Sequence, residues 1–157
     1  MFLTLPPELH LLIASDLSFP ERAHLRLTCR YLHTLIAPMK HTELLAAENT
    51  DFAVARDLYA CRYCLRLRHR DQFGDRMLRR RRGRRGRDAG RRFCVQCGLL
   101  PREGGEARYG PGAKVTLKGV AYVLCRECGG LRVARVLRGA VLEVCENCSG
   151  WMYEGSY

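Results

Sequence analysis

The sequence predicts an α+β fold in which a small helical segment comes first and a domain of short β-hairpins follows. The first 60 residues repeat apolar side chains at helical spacing and contain no glycine, whereas all 15 glycines lie beyond residue 70. Four Cys-x-x-Cys pairs fall between Cys61 and Cys148, and the last two pairs follow apolar runs that bend at a glycine. A chain of 157 residues with this pattern suits one or two small domains.

Helical periodicity is clearest in the first 40 residues. Pro7 and Glu8 suit a first helical turn, where a missing amide costs nothing and a carboxylate meets the helix dipole. Ser18 and Glu21 have the spacing of a capping box before a second helical run, which Pro38 ends. The apolar face of this second run is predicted to consist of Leu25, Leu32, Leu35 and Ile36. Two or three helices of this size expose too much apolar surface to be stable alone.

The same stretch resembles an F-box. It reads LPPELHLLIASDLSFPERAHLRLTCRYLHTLI, with a Leu-Pro opening at Leu5 and Pro6, an LRLTCRYL segment and a closing Leu-Ile. With the later segments YACRYCLRLRHRDQF, RFCVQCG and YVLC, the chain also resembles filamentous-fungal F-box proteins with cysteine-rich tails. This resemblance implies that the box binds the Skp-type adaptor of cullin-RING ubiquitin ligases and that the rest of the chain selects the substrate. The adaptor-facing candidates that it implies are Leu5, Pro6, Leu9, Ile13, Leu17, Leu25 and Leu27.

The chain is predicted to divide into three parts. We expect an F-box helical domain at residues 1–45, a helical connector at 46–60 and a zinc-binding domain with four Cys-x-x-Cys pairs at 61–157. Thr42 and Thr50 are predicted to cap two helices around the connector. The residues expected to seat these helices on the first cysteine pair are Phe52, Val54, Leu58 and Tyr59. The alternative to an F-box is a plain helical hairpin that only caps the following domain.

The paired cysteines predict two tetrahedral zinc sites. Each pair supplies two thiolates from a tight turn, and two pairs complete the ligand set of a structural Zn²⁺. A single pair could be a redox motif, but four pairs within fewer than 90 residues point to metal. The predicted ligands of two zinc ions are Cys61, Cys64, Cys94, Cys97, Cys125, Cys128, Cys145 and Cys148.

Three groupings of these pairs remain open. Sequential grouping is preferred, because loop closure costs least between neighbouring pairs. The alternatives join the second pair with the third and the first with the fourth, or form a cross-brace. A disulfide framework would need an oxidising compartment, whereas the N-terminus lacks the basic region of a signal peptide and no apolar run approaches about 20 residues. We therefore expect reduced thiols in the nucleus, the cytoplasm or both, and a buried Cys29 that binds no metal.

The positive charge is concentrated in one segment. The chain carries a net charge of +11, and residues 61–100 contain 14 basic and 3 acidic side chains. Ten arginines lie in residues 76–92, which offer little to bury and are predicted to form a mobile loop. A localisation signal, a contact to nucleic-acid phosphates and a solvated loop all fit this pattern. The arginines assigned to the first two roles are Arg79, Arg80, Arg81, Arg82, Arg84, Arg85 and Arg87.

Two hairpins are predicted in the C-terminal part. KVTLKGVAYVLC bends near Gly119 and LRVARVLRGAVLEVC bends near Gly139, and a Cys-x-x-Cys pair ends each hairpin. This is the arrangement of a zinc ribbon, in which metal holds strands that are too short for a core of their own. Gly98 and Gly129 directly follow a second ligand cysteine and suit its tight turn.

The ligand set argues against catalysis. Four cysteines saturate a tetrahedral ion and leave no open position, so no catalytic residue is predicted. A RING-like ligase is a rival, but the 29, 27 and 16 residues between successive pairs do not match its usual spacing. The chain is therefore predicted to be a binding module without catalytic activity. The F-box resemblance implies that it is the substrate-recognition subunit of an SCF-type ubiquitin ligase, which binds a Skp-type adaptor, a cullin complex and a protein substrate but no membrane. The alternative is a zinc-ribbon protein that binds nucleic acid through its arginines.

Overall fold

The computed structural model describes residues 2–102 and 104–150, and these residues confirm the predicted α+β fold class. The helices are α1 (Pro7–Asp16), α2 (Glu21–Leu27), α3 (Arg30–Leu35), α4 (His41–Ala47), α5 (Asp51–Ala55), α6 (Val95–Leu99) and α7 (Glu146–Gly150). The strands are β1 (Leu58–Cys61), β2 (Arg66–His69), β3 (Lys114–Leu117), β4 (Val120–Leu124), β5 (Leu131–Leu137) and β6 (Ala140–Cys145). Short 3-10 turns lie at Phe2–Thr4, Arg70–Gln72, Asp75–Met77, Arg80–Arg82 and Ala89–Arg91.

The second helical run predicted from the sequence is divided into α2 and α3. Cys29 between them is extended, with φ −154° and ψ 164°. The Thr28 hydroxyl donates to the Leu25 carbonyl at 2.8 Å, a local hydrogen bond of the kind that competes with helix continuation. The three helices close over a small core that consists of Ala14, Leu32 and Ile36, with Leu25, Cys29 and Leu35 packed against it.

The caps of the next two helices agree only in part with the prediction. Helix α4 begins at His41 rather than after Thr42, because the Glu43 carboxylate accepts the Lys40 amide at 2.6 Å and completes the first turn. Thr50 caps α5 as predicted, since its hydroxyl accepts the Ala53 amide at 3.4 Å.

Of the connector residues expected to face the first cysteine pair, Tyr59 does so. Its ring contacts Phe73 edge to face at 6.2 Å and packs beside the buried cysteines. Val54 is exposed, and Phe52 instead contacts Phe19 edge to face at 5.5 Å on the side of the helical part. A helix as short as α5 presents one narrow face to its neighbour, and that face is occupied by the fully buried Ala53.

A hairpin that the sequence did not predict carries the first cysteine pair. Strands β1 and β2 pair antiparallel from Leu58 opposite His69 to Cys61 opposite Arg66. The turn between the strands is the Cys-x-x-Cys segment itself. It contains none of the residues that usually form hairpin turns, so the sequence pattern did not indicate a hairpin here.

The two predicted hairpins join into one sheet. Its described strands follow the order β3-β4-β5-β6, and Tyr122 opposite Val133 is one of the pairs that join the hairpins. At the first bend Lys118 and Gly119 have φ +50° and +80°, and at the second bend Arg138 and Gly139 have φ +49° and +80°. Two successive positive φ values are typical of the type I′ turn, whose twist matches that of the strands.

The arginine-rich segment is packed against the connector, so the prediction of a loop with little to bury is wrong. Arg92 is completely buried and forms an ion pair with Glu48, which also accepts the Ala60 amide at 2.9 Å. Arg84 donates to the Leu58 carbonyl at 3.1 Å and lies 4.4 Å above the Tyr59 ring. Arg92 is buried and Arg84 is half-buried because hydrogen bonds, an ion pair and a ring contact satisfy their charges, and amino-acid composition does not show such contacts.

Candidate functional site

The first four-cysteine cluster is assembled by the β1–β2 hairpin and α6. Cys61 ends β1, Cys64 lies in the turn that follows, Cys94 directly precedes α6 and Cys97 lies within it. Their four sulfur atoms all lie within 4.8 Å of one another. The buried Cys61 and Cys94 are also part of a hydrophobic cluster with Phe73, so the ligands themselves form much of this small core.

The second cluster uses the same plan on the four-stranded sheet. Cys125 follows β4, Cys128 lies in the next turn, Cys145 ends β6 and Cys148 lies in α7. Again the four sulfur atoms lie within 4.8 Å of one another. The structure therefore has the sequential grouping, in which each cluster takes two neighbouring pairs. All nine cysteines of the chain are among the described residues, and none of them forms a disulfide bond.

Backbone and side-chain donors surround the sulfur atoms. The Cys94 amide donates to Cys61 Sγ at 3.3 Å, and the Cys145 amide donates to Cys125 Sγ at 3.4 Å. The Arg68 side chain hydrogen bonds to Cys64, which raises the pKa of that guanidinium. These donors favour thiolate sulfur, which is the form that binds metal.

Each cluster contains one thiol whose pKa is lowered and at least one whose pKa is raised. A hydrogen bond with the Cys94 thiol lowers the pKa of Cys61 to about 4, while the pKa of Cys94 is raised. Burial raises the pKa of Cys97 to about 11. In the second cluster, hydrogen bonding with the Cys128 amide lowers the pKa of Cys125 to about 6, and hydrogen bonding with Cys145 raises that of Cys148 to about 12. Four adjacent sulfurs cannot all ionise unless a cation offsets their repulsion.

Both clusters fit a four-coordinate metal ion. With a metal–sulfur distance of about 2.3 Å, tetrahedral geometry places ligand sulfurs about 3.8 Å apart, in agreement with the close spacing here. A divalent cation would also let all four thiols ionise. Each cluster therefore could bind one metal ion and, with four protein ligands, would leave no position for a substrate.

The turns after the ligand cysteines differ in a way that the sequence did not predict. Gly129 has φ +66°, the left-handed conformation that suits glycine, and Leu65 takes a similar φ of +50° at the matching position of the first cluster. Gly98 has no such φ. A Cβ atom there would lie 2.4 Å from the Tyr109 ring, so this position needs glycine because an aromatic ring packs against it.

The second feature of interest is the outward face of α1. The buried residues of this helix are His10 and Ala14, whereas Leu9, Leu12 and Ile13 are exposed, Leu12 by 63%. A helix that buries a histidine and exposes its aliphatic side chains leaves an apolar surface that residues 2–102 and 104–150 do not cover.

His10 fixes the chain segment that precedes this surface. Its Nε2 donates to the Phe2 carbonyl at 2.8 Å, because a carbonyl can only accept, and its Nδ1 hydrogen bonds with the Tyr31 hydroxyl at 3.0 Å. The Phe2–Thr4 turn is thus held beside α1, and Leu5 and Pro6 lie at its exposed end.

The structure separates the adaptor-facing candidates into three groups. Leu17 is half-buried, and Leu25 packs against the buried core of the helices. The exposed candidates are Leu5, Pro6, Leu9, Ile13 and Leu27. Sequence reasoning missed three further exposed leucines, namely Leu3, Leu11 and Leu12. The signal was present, since leucine and isoleucine recur around the whole of α1 rather than on one face.

The arginine candidates are also divided by the fold. Arg82 and Arg84 point inward, where Arg82 Nη1 lies 3.3 Å from Met77 Sδ and Arg84 lies over the Tyr59 ring. The exposed members are Arg79, Arg80, Arg81, Arg85 and Arg87. Five of the seven candidates are therefore exposed, and the other two are engaged within the fold.

Comparison with known proteins bears on the helical part of the chain. Neither the curated proteins nor the solved structures include a match to the chain. Across the residues with described coordinates, no helix has both the length and the apolar character needed to cross a membrane. Residues 2–39 match the model of the F-box-like family, so the three helices that expose these leucines form an F-box-like domain.

Proposed function

We propose that this chain is the substrate-recognition subunit of an SCF-type ubiquitin ligase. The F-box-like domain binds a Skp-type adaptor, and through the adaptor a cullin complex, while the cysteine-rich part contacts a protein substrate. The protein performs no catalysis of its own in this assembly, as is typical of F-box proteins. The filamentous-fungal type, the division at residues 45 and 60 and a location in the nucleus or cytoplasm are part of the same proposal.

The exposed aliphatic surface of α1 supports this proposal most strongly. Leu9, Leu12 and Ile13 lie on one short helix, and the fixed segment with Leu5 and Pro6 precedes it. A few anchors of this kind supply most of the free energy of a protein interface when a partner buries them. Pro6 has φ −57° and ψ 149°, and its ring fixes the direction in which the chain enters α1.

Co-purification with a Skp-type adaptor tests the proposal. Replacing Leu5 and Pro6 together by alanine should cost about 2 to 4 kcal/mol of binding free energy, as truncation of interface anchors does. Leu137→Ala, which removes an exposed leucine at the far end of β5, is the matched control and should bind as the native chain does. An adaptor that binds the double variant with native affinity, or never binds the native chain, would contradict the proposal.

Each four-cysteine cluster is proposed to hold one Zn²⁺ with a structural role. The observation that supports this is the convergence of four sulfurs within 4.8 Å in both clusters, each on strands too short to bury a core without their ligands. Metal analysis of the purified protein should give two zinc ions per chain. Fewer than one zinc per chain together with disulfide-bonded cysteines would contradict this assignment.

A second candidate function is binding of nucleic acid by the exposed arginines. Within residues 2–102 and 104–150, Arg80, Arg81 and Arg87 are exposed and form no ion pair, which supports contact with a phosphate backbone. Such binding should weaken steeply with salt and show little preference for sequence. Replacing Arg80 and Arg81 by glutamine should then lower the affinity for all oligonucleotides alike. If the replacement changes only nuclear accumulation, the segment is a localisation signal instead.

A further inference from the structure

A cavity of about 740 Å³ lies between the F-box-like helices and the first cysteine cluster. We call it the junction groove and define it by its aliphatic lining, which includes Ala23, Leu27 and Leu65, and by the arginines Arg22, Arg26 and Arg66. The groove is concave, it combines apolar and cationic groups, and it is formed jointly by two parts of the chain. Concave sites of this size with a few convergent polar groups are where proteins bind ligands.

The charged side chains that line the junction groove are arginines, and the Cys64 sulfur that also lines it is hydrogen bonded to the Arg68 side chain. None of the described residues that line it carries a carboxylate. Arg22 forms a 3.4 Å ion pair with Glu43 outside the lining, and its Nε is buried with no hydrogen-bond partner among the described residues. Arg66 is exposed at the rim, on the side of the cysteine cluster. The groove is therefore complementary to a ligand that brings negative charge.

Leu65 is held in an unfavourable backbone conformation at the edge of this groove. It has φ +50°, which favours glycine, and the second cluster has Gly129 at the matching position. The Leu65 side chain is 43% exposed and lines the groove. The turn after the ligand cysteine has this φ in both clusters, and in the first cluster it places a leucine side chain at the edge of the groove.

We propose that the junction groove binds an acidic peptide segment that carries an aliphatic or aromatic side chain. This inference rests on the proposed function, because such a segment would be the part of the substrate that the ubiquitin ligase recognises. The apolar side chain packs between Leu27 and Leu65, and flanking carboxylates pair with Arg26 and Arg66.

Two observations favour a peptide over the other partners of this chain. The lining is mostly aliphatic and contains no Tyr or Trp; its Phe19 ring contacts Phe52, and its His33 imidazole hydrogen bonds with Arg26 at 3.2 Å, so the groove offers a nucleobase little to stack on. The exposed anchors Leu5, Leu9 and Leu12 lie outside the lining, and Leu65 and Arg66 lie outside the F-box-like residues 2–39. Leu27 is the one exposed adaptor candidate that lines the groove, and we assign it to the peptide. The groove is otherwise distinct from the surface proposed for the adaptor, which consists of α1 and the segment with Leu5 and Pro6.

The test is selection of a random peptide library on the full zinc-loaded chain. We expect enriched peptides in which Asp or Glu flanks a Leu, Ile or Phe, and the best of them is then synthesised with a fluorescent label. Its affinity, measured by anisotropy, should fall about tenfold in Arg66→Glu, because charge complementarity is reversed. It should fall about fivefold in Leu65→Gly, which removes apolar contact but suits the local φ.

Matched controls lie at the β5–β6 bend. Arg138→Glu and Leu137→Ala make the same kinds of change there and should leave the affinity for the peptide at the native value. Zinc content and adaptor co-purification should be native in Arg66→Glu and Leu65→Gly, which shows that these variants remain folded. The inference would be overturned if the enriched peptides contain no acidic residues, or if both groove variants bind the peptide with native affinity. It would also be overturned if the adaptor or a single-stranded oligonucleotide displaces the peptide.

The two proposals fail in different ways. If the chain binds the adaptor but selects no acidic peptide, the junction groove is not the substrate site and the ligase proposal stands. If the chain binds acidic peptides through Leu65 and Arg66 but never the adaptor, the groove is a peptide site of a protein with another function.

Discussion

The buried ion pair between Arg92 and Glu48 allows the packing of the arginine-rich segment to be tested. The side chains of Arg92 and Glu48 are 0% and 1% exposed, and the two residues are 44 positions apart in the sequence. Glu48 also accepts the Ala60 amide at 2.9 Å, and Arg92 Nη1 donates to the Arg82 carbonyl at 3.3 Å. This pair therefore connects the end of α4 to both the β1 strand and the arginine turns. The perturbation is Glu48→Ala.

The expected magnitude follows from the burial of both partners. Glu48→Ala leaves a guanidinium uncompensated inside the protein, and breaking a buried pair in this way costs about 3 to 5 kcal/mol. Replacing Arg92 by methionine should cost a similar amount, because the carboxylate is then left with one amide donor. The double variant Glu48→Gln/Arg92→Met keeps an acceptor for the Ala60 amide and fills the space of the arginine. Its loss should be smaller than the sum of the losses of the single variants Glu48→Gln and Arg92→Met by about 1 to 3 kcal/mol.

Two measurements on the zinc-loaded protein test this reasoning. Urea unfolding followed by circular dichroism gives the loss of stability, and hydrogen exchange detected by mass spectrometry reports on residues 79–92. In the native chain the Asp88 amide donates to the Arg81 carbonyl at 2.8 Å, so it should exchange slowly, and exchange should become fast in Glu48→Ala. A loss below about 1 kcal/mol, or free-chain exchange in the native segment, would refute the packing described here.

Three further predictions concern the metal clusters and the local fold. Zinc affinity, measured against a chromogenic chelator, should fall as the pH is lowered from about 8 to about 6. Thiols with a raised pKa, such as Cys97 and Cys148, must lose their protons to bind zinc. An affinity that does not change with pH would contradict thiolate ligation. Gly98→Ala should lower the midpoint of urea unfolding by displacing the Tyr109 ring, at a cost of about 1 to 3 kcal/mol, and native stability would show that the ring has room to move. Thr50→Ala should cost about 1 kcal/mol through loss of the α5 cap, whereas Thr42→Ala at the same assay should be nearly neutral.

Features that depend on a few neighbouring residues were predicted from the sequence. The Cys-x-x-Cys spacing identifies the residues that form the two clusters, because each pair meets in its own turn. The bends at Gly119 and Gly139 also depend on local sequence and were predicted, because a glycine readily adopts the positive φ that each turn needs. The F-box resemblance also rests on a contiguous stretch, and residues 2–39 match the F-box-like model.

Features that depend on distant residues were decided by the tertiary structure. The sequence could not show which leucines of α1 face outward, because the buried positions are filled by His10 and Ala14 through contacts with Phe2 and Tyr31. The packing of the arginine segment was not predicted, because hydropathy scales treat arginine as a solvent-exposed residue. They do not account for a guanidinium that is buried in an ion pair with a carboxylate.

The sequence by itself determined the mixed fold class, the cysteines of the two clusters and the position of the F-box-like helices. Only the tertiary structure decided how the cysteine pairs are grouped, which arginines are buried and where the junction groove lies. The physical reason is the range of the interactions. Turns, caps and ligand spacings are set within a few residues, whereas a buried ion pair or a groove forms when segments far apart in the chain come together.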